Sequence, residues 1–490
     1  MCKLSYSKKE KIAALFLFLA NVLIMLTIWL GQNYVQVDFD QLLFQLKTTS
    51  KGVPGELLGS AVIQVGLFSI LLIVLEACLY QWLTGLHNIS FIKKHILPLT
   101  FVMFVLSQFI CGTMVHIFSF MKVESKESDF IQSQYVKPEN AILHFPEQKR
   151  NLIYIFLESM ESTFADLSAG DMITDCYIPE LAALAEKNLH FSHNDGLGGA
   201  LSYPGTTWTV AAMVAQTAGV PVKVALEADV YGAGDVFIPG AISIGQILEE
   251  QGYNQVLLLG SNAEFHGREI YFSEHGNYEI LDTDFLKEAK RLPEDYEAWW
   301  GFEDEKLFSY AREELTRLAE SDAPFNLTLL TADTHFPDGC TCRLCEDIYD
   351  TQYANVLACS SRQVADFISW IQEQPFYENT TIVISGDHLT MDGGFMEGID
   401  PEYTRSIYNC IIHAFAEPAR EKNRQFGTID LFPTTLAALG VKIDGDRLAL
   451  GTNLFSDRET LTEQFGYEFV AEELQKQSDF YDQELLLLHE

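Results

Sequence analysis

Three apolar runs crowd the start of the chain and set the terms for the rest of it. Ile12 to Leu30 carries no charged side chain, Leu58 to Leu83 carries only Glu76, and Ile96 to Phe118 carries none. Each approaches or exceeds the ~20 residues that cross a bilayer core. One such run fits a buried core helix. Three in succession are read as transmembrane helices, at about 12–30, 58–83 and 96–118, within an anchor covering 1–120.

Basic residues set the expected orientation. Lys3, Lys8, Lys9 and Lys11 precede the first run, and Lys93 and Lys94 lie between the second and third, which puts those sides in the cytoplasm. The loop between the first and second runs sets Lys47 and Lys51 against Asp38, Asp40 and Glu56. Three crossings place everything after Phe118 outside the cytoplasm, in a multi-pass protein of the cell membrane. A cleaved signal peptide fits poorly, because "GQNYVQ" and no small-x-small site follows Leu30.

Charge divides at the same place. The formal net charge is −36, yet residues 1–120 hold 8 Lys/Arg and 5 Asp/Glu, so the rest of the chain carries −39. A part so acidic argues against a nucleic-acid partner, since phosphate backbones are held by Lys and Arg patches. The polar stretch from Lys122 to Asn140, with Pro138, reads as a juxtamembrane linker within 121–147. Residues 459–490 read as an acidic C-terminal extension ending in "LLLL".

Between them, over 148–458, short apolar strands alternate with helical patterns. "NLIYIFLE" (151–158), "NQVLLLG" (254–260), "FNLTLLTAD" (325–333), "TTIVISGD" (380–387) and "NCIIHAF" (409–415) are read as strands. "IPELAALAEKN" (178–188) and "ANVLACSSRQVADFISWI" (354–371) have helical spacing. This predicts an α/β domain, its mostly parallel sheet covered on both faces. Ligands of such sheets sit beyond the carboxyl ends of the strands. Glu158-Ser159, Asp333-Thr334-His335 and Asp387-His388 follow three of these strands, and in a parallel sheet they meet at one edge. "CTCRLC" and Cys359 bring Cys340, Cys342, Cys345 and Cys359 into this part. They form half of a zinc site or, as an oxidising compartment favours, disulfides of unknown pairing.

Glu158, Asp387 and His388 are oxygen and imidazole ligands in the number a catalytic Zn2+ site uses, and Mn2+ accepts the same set. The plainer roles are a helix cap for Glu158 and a solvated Asp387-His388 pair. "YPGTTWTVAAMVA" (203–215) offers a hydroxyl. Thr206 is expected at a helix start, where it can cap the helix or, activated, attack phosphorus. His190 and His193 in "HFSH" are read as part of a turn beside the sheet.

Over residues 145–455, together with the anchor, these motifs resemble the alkaline-phosphatase-like superfamily. The likeness is to its membrane-anchored branch of glucan phosphoglycerol transferases, lipoteichoic acid synthases and phosphoethanolamine transferases. "IYIFLESMESTF" is similar to the branch's first strand, "GTTWTVAAM" to its nucleophile segment, "ISGDHLTM" to its second metal strand, and "TADTHFPDG" to a segment whose His meets substrate phosphate. "TIDLFPTTLAALG" resembles a helix near the end of sulfatase-like domains.

The resemblance implies an alkaline-phosphatase-like (sulfatase-like) fold. It implies one divalent ion, Mn2+ or Zn2+ with Mg2+ as a further candidate, on Glu158, Thr206, Asp387 and His388. Thr206 is the implied nucleophile, with Thr207 as an adjacent rival, and His335 the substrate contact; His275 and Arg268 of "EFHGREIYFSEHG" are weaker substrate contacts. The implied reaction moves phosphoglycerol from phosphatidylglycerol to a hydroxyl of an extracytoplasmic glycan or glycolipid. The alternatives are a phosphoethanolamine transferase, a lipoteichoic-acid-synthase-like polymerase, and a receptor that binds lipid head groups without turnover. A sulfatase needs Cys or Ser two residues before a Pro and four before an Arg; "SYPGT" (202–206) has Thr206 where that Arg would stand.

Overall fold

The computed structural model describes residues 7–35, 37–48, 59–86, 90–170, 173–224, 236–296 and 298–487. Lys3, Lys51, Glu56, Leu58 and Leu488, named above or within the runs quoted there, lie outside them. The chain divides into two compact units, one of residues 1–39 and 53–122, the other of residues 40–52 and 123–490.

The first unit holds three helices long and apolar enough to cross a membrane, Lys8–Asn33, Gly59–Thr84 and Phe91–Met114. Ser7 and Glu10 cap the first reciprocally, the Glu10 N–H donating to Ser7 Oγ (3.3 Å) and the Ser7 N–H to Glu10 Oε2 (2.7 Å). Glu76, the one acid of the second run, accepts a hydrogen bond from Asn21 Nδ2 at 2.9 Å, so its charge is not left bare among apolar side chains. Leu71, Leu75, Leu79, Leu106 and Phe109 are exposed, an exterior suited to lipid.

In the second unit a six-stranded sheet forms from β1 (Asn151–Leu157), β2 (Asn254–Leu259), β3 (Glu279–Leu281), β4 (Phe325–Leu330), β5 (Thr380–Gly386) and β6 (Asn409–Ile412). The order is β3-β2-β4-β1-β5-β6, parallel except for β6, which runs antiparallel to β5. β1 is buried throughout, as an apolar strand without alternation must be. Leu152, Tyr154 and Phe156 enter one core layer, with the helix Thr209–Ala218. Ile153, Ile155 and Leu157 enter the other, with the helices Asp304–Ala319 and Gln352–Gln372. Leu157 pairs with Gly386, and Phe156 with Leu330, so the carboxyl ends of β4, β1 and β5 lie side by side.

Three stretches pack otherwise than their sequences suggest. Residues 121–147, read as a linker, bury Phe130 and Ile131 and pair Leu143 with Ile443. The C-terminal extension is its partner: the Ser128 N–H donates to the Gln477 carbonyl (2.9 Å), and Phe130 packs edge-on against Phe465 and Phe469. The terminal leucines become core, with Leu485 and Leu486 buried beside Tyr481.

Residues 40–52, assigned by sequence to the anchor, belong to the second unit. Phe44 is fully buried there, 5.2 Å from the Trp208 ring and 5.5 Å from the His266 ring. Emptying such a site by Phe44→Ala costs about 3 kcal/mol or more. The thermal unfolding midpoint of the solubilised chain is therefore expected to drop in this variant; an unchanged midpoint would show that Phe44 is not seated.

Candidate metal and nucleophile site

The site sits where β1 and β5 end. Backbone groups lock the two ends together: the Ser159 N–H donates to Asp387 Oδ1 (2.7 Å), the His388 N–H to the same oxygen (2.7 Å), and the Asp387 N–H to the Leu157 carbonyl (3.0 Å). Thr331 Oγ1, just beyond β4, accepts from the Glu158 N–H (2.9 Å), and Thr334 Oγ1 donates to the Glu158 carbonyl (2.6 Å). Glu158, Asp387 and His388 are all buried, and their ligand atoms converge.

His388 Nδ1 lies 2.9 Å from the Leu389 carbonyl oxygen, which can only accept, so Nδ1 carries the proton and Nε2 is the inward-facing atom. Nε2 is 3.5 Å from Glu158 Oε1 and 3.4 Å from Asp387 Oδ2, and Asp387 Oδ2 is buried with no hydrogen-bond partner. These separations exceed the 2.7–3.2 Å of a good hydrogen bond. They do match the edge of a tetrahedron whose centre lies about 2.1 Å from each donor, which is about 3.4 Å. A proton on Nε2 serves one oxygen, whereas a central divalent cation serves all of them. Burial, and next the Asp387 charge, push the Glu158 carboxyl well above its ordinary pKa, a cost that such a cation removes.

Besides Ser159 Oγ, which donates to Glu158 Oε1 (2.9 Å), the hydroxyl at this cluster is that of Thr209. Its Oγ1 is 3.4 Å from His388 Nε2 and 3.5 Å from Glu158 Oε2. Thr206, the residue picked out in the sequence, is turned elsewhere: its Oγ1 donates to the Tyr203 carbonyl (2.9 Å) and accepts from the Tyr203 N–H (3.0 Å). Tyr203 to Thr206 form a tight turn with Gly205 at φ 76°, the Pro-Gly geometry that only glycine takes without strain. Two further residues follow before the helix begins at Thr209, with Trp208 as its N-cap. Thr207 makes no hydrogen bond to the cluster among the described residues. Helix spacing then aims Gln216, two turns on, at β5, its Nε2 donating to the Gly386 carbonyl (2.9 Å) while Tyr154 OH donates to its Oε1 (2.9 Å). Gln216 so fixes the helix carrying Thr209 to the strand carrying Asp387, a role its place in an apolar helical run did not announce.

Arg268 is buried near this centre. Burial lowers its guanidinium to about 10, while Glu158, Asp282 and Asp387 act in the other direction, and it remains a cation at neutral pH. Its Nη2 donates to Ser261 Oγ (3.1 Å) and the Asn262 carbonyl (2.7 Å). His335 is brought to the same end of the sheet, where burial lowers it to about 3 and His388 and Arg268 act in the same direction. Its Nδ1 lies 2.6 Å from the Phe336 carbonyl oxygen, so Nε2 carries the lone pair. The Trp300 ring stands 4.1 Å from that of His335.

His275 is not part of this arrangement. Its Nε2 lies 2.8 Å from the Phe237 carbonyl oxygen and its Nδ1 3.1 Å from Gln246 Oε1, contacts to a loop and to the helix Ile244–Glu250. Glu161, which the sequence reading passed over, is fully buried, ion-paired with Arg405, and accepts from the Thr390 N–H (2.8 Å). It holds the loop after His388 in place. A second acid three residues after a strand-end ligand was the available signal.

Comparison with known proteins places this geometry in context. The family model described as Sulfatase matches residues 150–441. Phosphoglycerol transferase I of Escherichia coli is 33% identical over 297 residues, which are 59% of this chain and 37% of that protein. The chain thus spans little more than a third of the length of the curated relatives it matches. Among solved structures, the integral membrane protein lipooligosaccharide phosphoethanolamine transferase A of Neisseria meningitidis superposes with a TM-score of 0.52 at 14% identity, covering 90% of this chain and 85% of that one. The lipoteichoic acid synthase of Listeria monocytogenes gives 0.48 at 18% identity, with 67% and 80% covered. The first of these likenesses, at 14% identity, speaks to the fold alone.

Proposed function

The chain belongs to the sulfatase family, and on that footing we propose that it is a membrane-anchored phosphoglycerol transferase using Thr209 as nucleophile. The observation that carries this reading is the Thr209 hydroxyl 3.4–3.5 Å from two members of a buried metal-ligand triad, at the first residue of a helix. The 33% identity to phosphoglycerol transferase I supports phosphoglycerol as the transferred group. A sulfatase activity is disfavoured by a threonine at this place and by the absence of the Cys/Ser-x-Pro-x-Arg pattern.

Glu158, Asp387 and His388 would hold one divalent ion, Mn2+ or Zn2+ with Mg2+ less suited to an imidazole ligand. When bound, it supplies charge to polarise a phosphoryl oxygen and to ease deprotonation of an adjacent hydroxyl. Thr209 Oγ attacks the phosphorus of a phosphatidylglycerol head group. A P–O bond forms to Thr209 as the bond to the diacylglycerol oxygen breaks, and the proton lost by Thr209 passes to that oxygen. An acceptor hydroxyl of a glycan or glycolipid then attacks the same phosphorus, and its proton passes to Thr209 Oγ as the P–O bond to Thr209 breaks. The helix N-terminus behind Thr209 and the Arg268 cation favour the phosphoryl oxygens. The lone pair on His335 Nε2 suits it to accept a hydrogen bond from the entering hydroxyl and orient it. With the three long apolar helices crossing the membrane and the first basic flank in the cytoplasm, this chemistry takes place on the outer side, beside a donor that stays in the bilayer.

Vesicles carrying fluorescent phosphatidylglycerol test this reading. The solubilised full chain with Mn2+ or Zn2+ is expected to release fluorescent diacylglycerol, and EDTA to stop it. Release from phosphatidylethanolamine instead would assign the phosphoethanolamine reaction. Binding of vesicles without release from either lipid would leave only a head-group receptor.

A further inference from the structure

A second cluster of soft ligands lies outside the site described above. Cys342 Sγ is 3.7 Å from Cys345 Sγ and 3.9 Å from Cys359 Sγ, and the three sulfurs face one another. Zinc–sulfur bonds of about 2.3 Å give a tetrahedral edge of about 3.8 Å, so both separations are those of a zinc thiolate site. Cys342-Arg343-Leu344-Cys345 turns tightly, its Cys345 N–H donating to the Cys342 carbonyl (3.1 Å). N–H groups point at the sulfurs from all sides. The Leu344 N–H is 3.4 Å from Cys342 Sγ, the Cys342 N–H is 3.3 Å from Cys345 Sγ, and Gln363 Nε2 is 3.5 Å from Cys359 Sγ. Such donors stabilise charge on sulfur. Cys340, with a free thiol, lies two residues upstream.

Cys345 and Cys359 are paired as a disulfide here. That pairing occupies two sulfurs and leaves Cys342 packed against both of them. A metal uses all three.

We propose that the reduced cluster of Cys342, Cys345 and Cys359 binds one Zn2+ through three thiolates. Three thiols lose three protons to solvent as three zinc–sulfur bonds form, with no change of oxidation state. Zinc and the disulfide are alternative fates of the same sulfurs, and metal uptake by the newly made chain forestalls oxidation. The ion would tie residues 342–345, which follow the His335 loop, to the helix Gln352–Gln372, and so fix that loop at its far end.

The test is made in the full chain carrying Asp387→Asn, which weakens the other site. Protein purified with zinc and reductant is expected to keep about one zinc per chain by plasma mass spectrometry after EDTA dialysis, and Cys342→Ser in that background to lose it. Cobalt titration of the same chain, with its cysteines intact, is expected to give the near-ultraviolet thiolate-to-cobalt charge-transfer band. A zinc content that Cys342→Ser does not change would overturn the proposal. So would absence of the cobalt band together with a Cys345–Cys359 linked peptide in a non-reducing digest of that preparation.

Discussion

Thr209→Ala is expected to lower diacylglycerol release by about 10^3-fold or more, the scale seen when a covalent nucleophile is removed. Thr206→Ala is expected to stay within about tenfold of wild type. The contrast follows from where the two hydroxyls point. Thr209 Oγ1 faces His388 and Glu158, whereas Thr206 Oγ1 is committed to both backbone groups of Tyr203. Losing the Thr206 hydroxyl removes two hydrogen bonds from a buried turn, a cost to stability of about 1–2 kcal/mol. Steady-state release from fluorescent phosphatidylglycerol, read beside thermal unfolding, separates these effects. Full activity in Thr209→Ala would end the nucleophile assignment. A dead but folded Thr206→Ala would move that role back to Thr206.

Asp387→Asn is expected to have an effect of comparable size on turnover and the opposite sign on the stability of the metal-free protein. Asp387 Oδ2 has no partner, and its charge is one reason that the Glu158 carboxyl is pushed up. Removing that charge relieves repulsion inside a buried pair, so the metal-free variant should unfold at or above the wild-type temperature. Added Mn2+ or Zn2+ raises the wild-type midpoint by stabilising the folded state alone, as any ligand of the native form does. The variant should lose most of that gain and at least about 10^3-fold in turnover. Differential scanning of both proteins with and without metal checks it. An equal metal-induced shift in both would place the ion on other residues.

The sheet and its active edge could be read from the chain because their signals are local. An uninterrupted apolar strand such as 151–157 has few structural options, and an acid or imidazole directly after one lands at its carboxyl end. Hence Glu158, Asp387 and His388 converge as expected. Spacing reads the Pro204-Gly205 turn and the helix start as continuous, whereas the structure turns the Thr206 hydroxyl to Tyr203 and brings that of Thr209 beside Glu158 and His388. Trp208, extended and capping the helix, lies between them. That distinction depends on backbone angles which spacing does not encode. His275 has a sequence neighbourhood as suggestive as that of Arg268, and only the position of the Phe237 carbonyl shows that its ring is spent on a loop. The seating of Phe44 and of Leu485 and Leu486 in the second unit was equally hidden. An apolar residue between two apolar helices, or in an acidic tail, gives no sign of which core takes it.

One divalent cation shared by Glu158, Asp387 and His388, within reach of the Thr209 hydroxyl, is what the proposed chemistry needs. Anomalous diffraction from crystals of the Mn2+- or Zn2+-loaded protein locates it. A peak is expected about 2.0–2.2 Å from a carboxylate oxygen of Glu158, one of Asp387 and Nε2 of His388, with Thr209 Oγ1 the nearest threonine hydroxyl. No anomalous density among these three side chains, or a peak there with Thr206 turned toward it in place of Thr209, would contradict it.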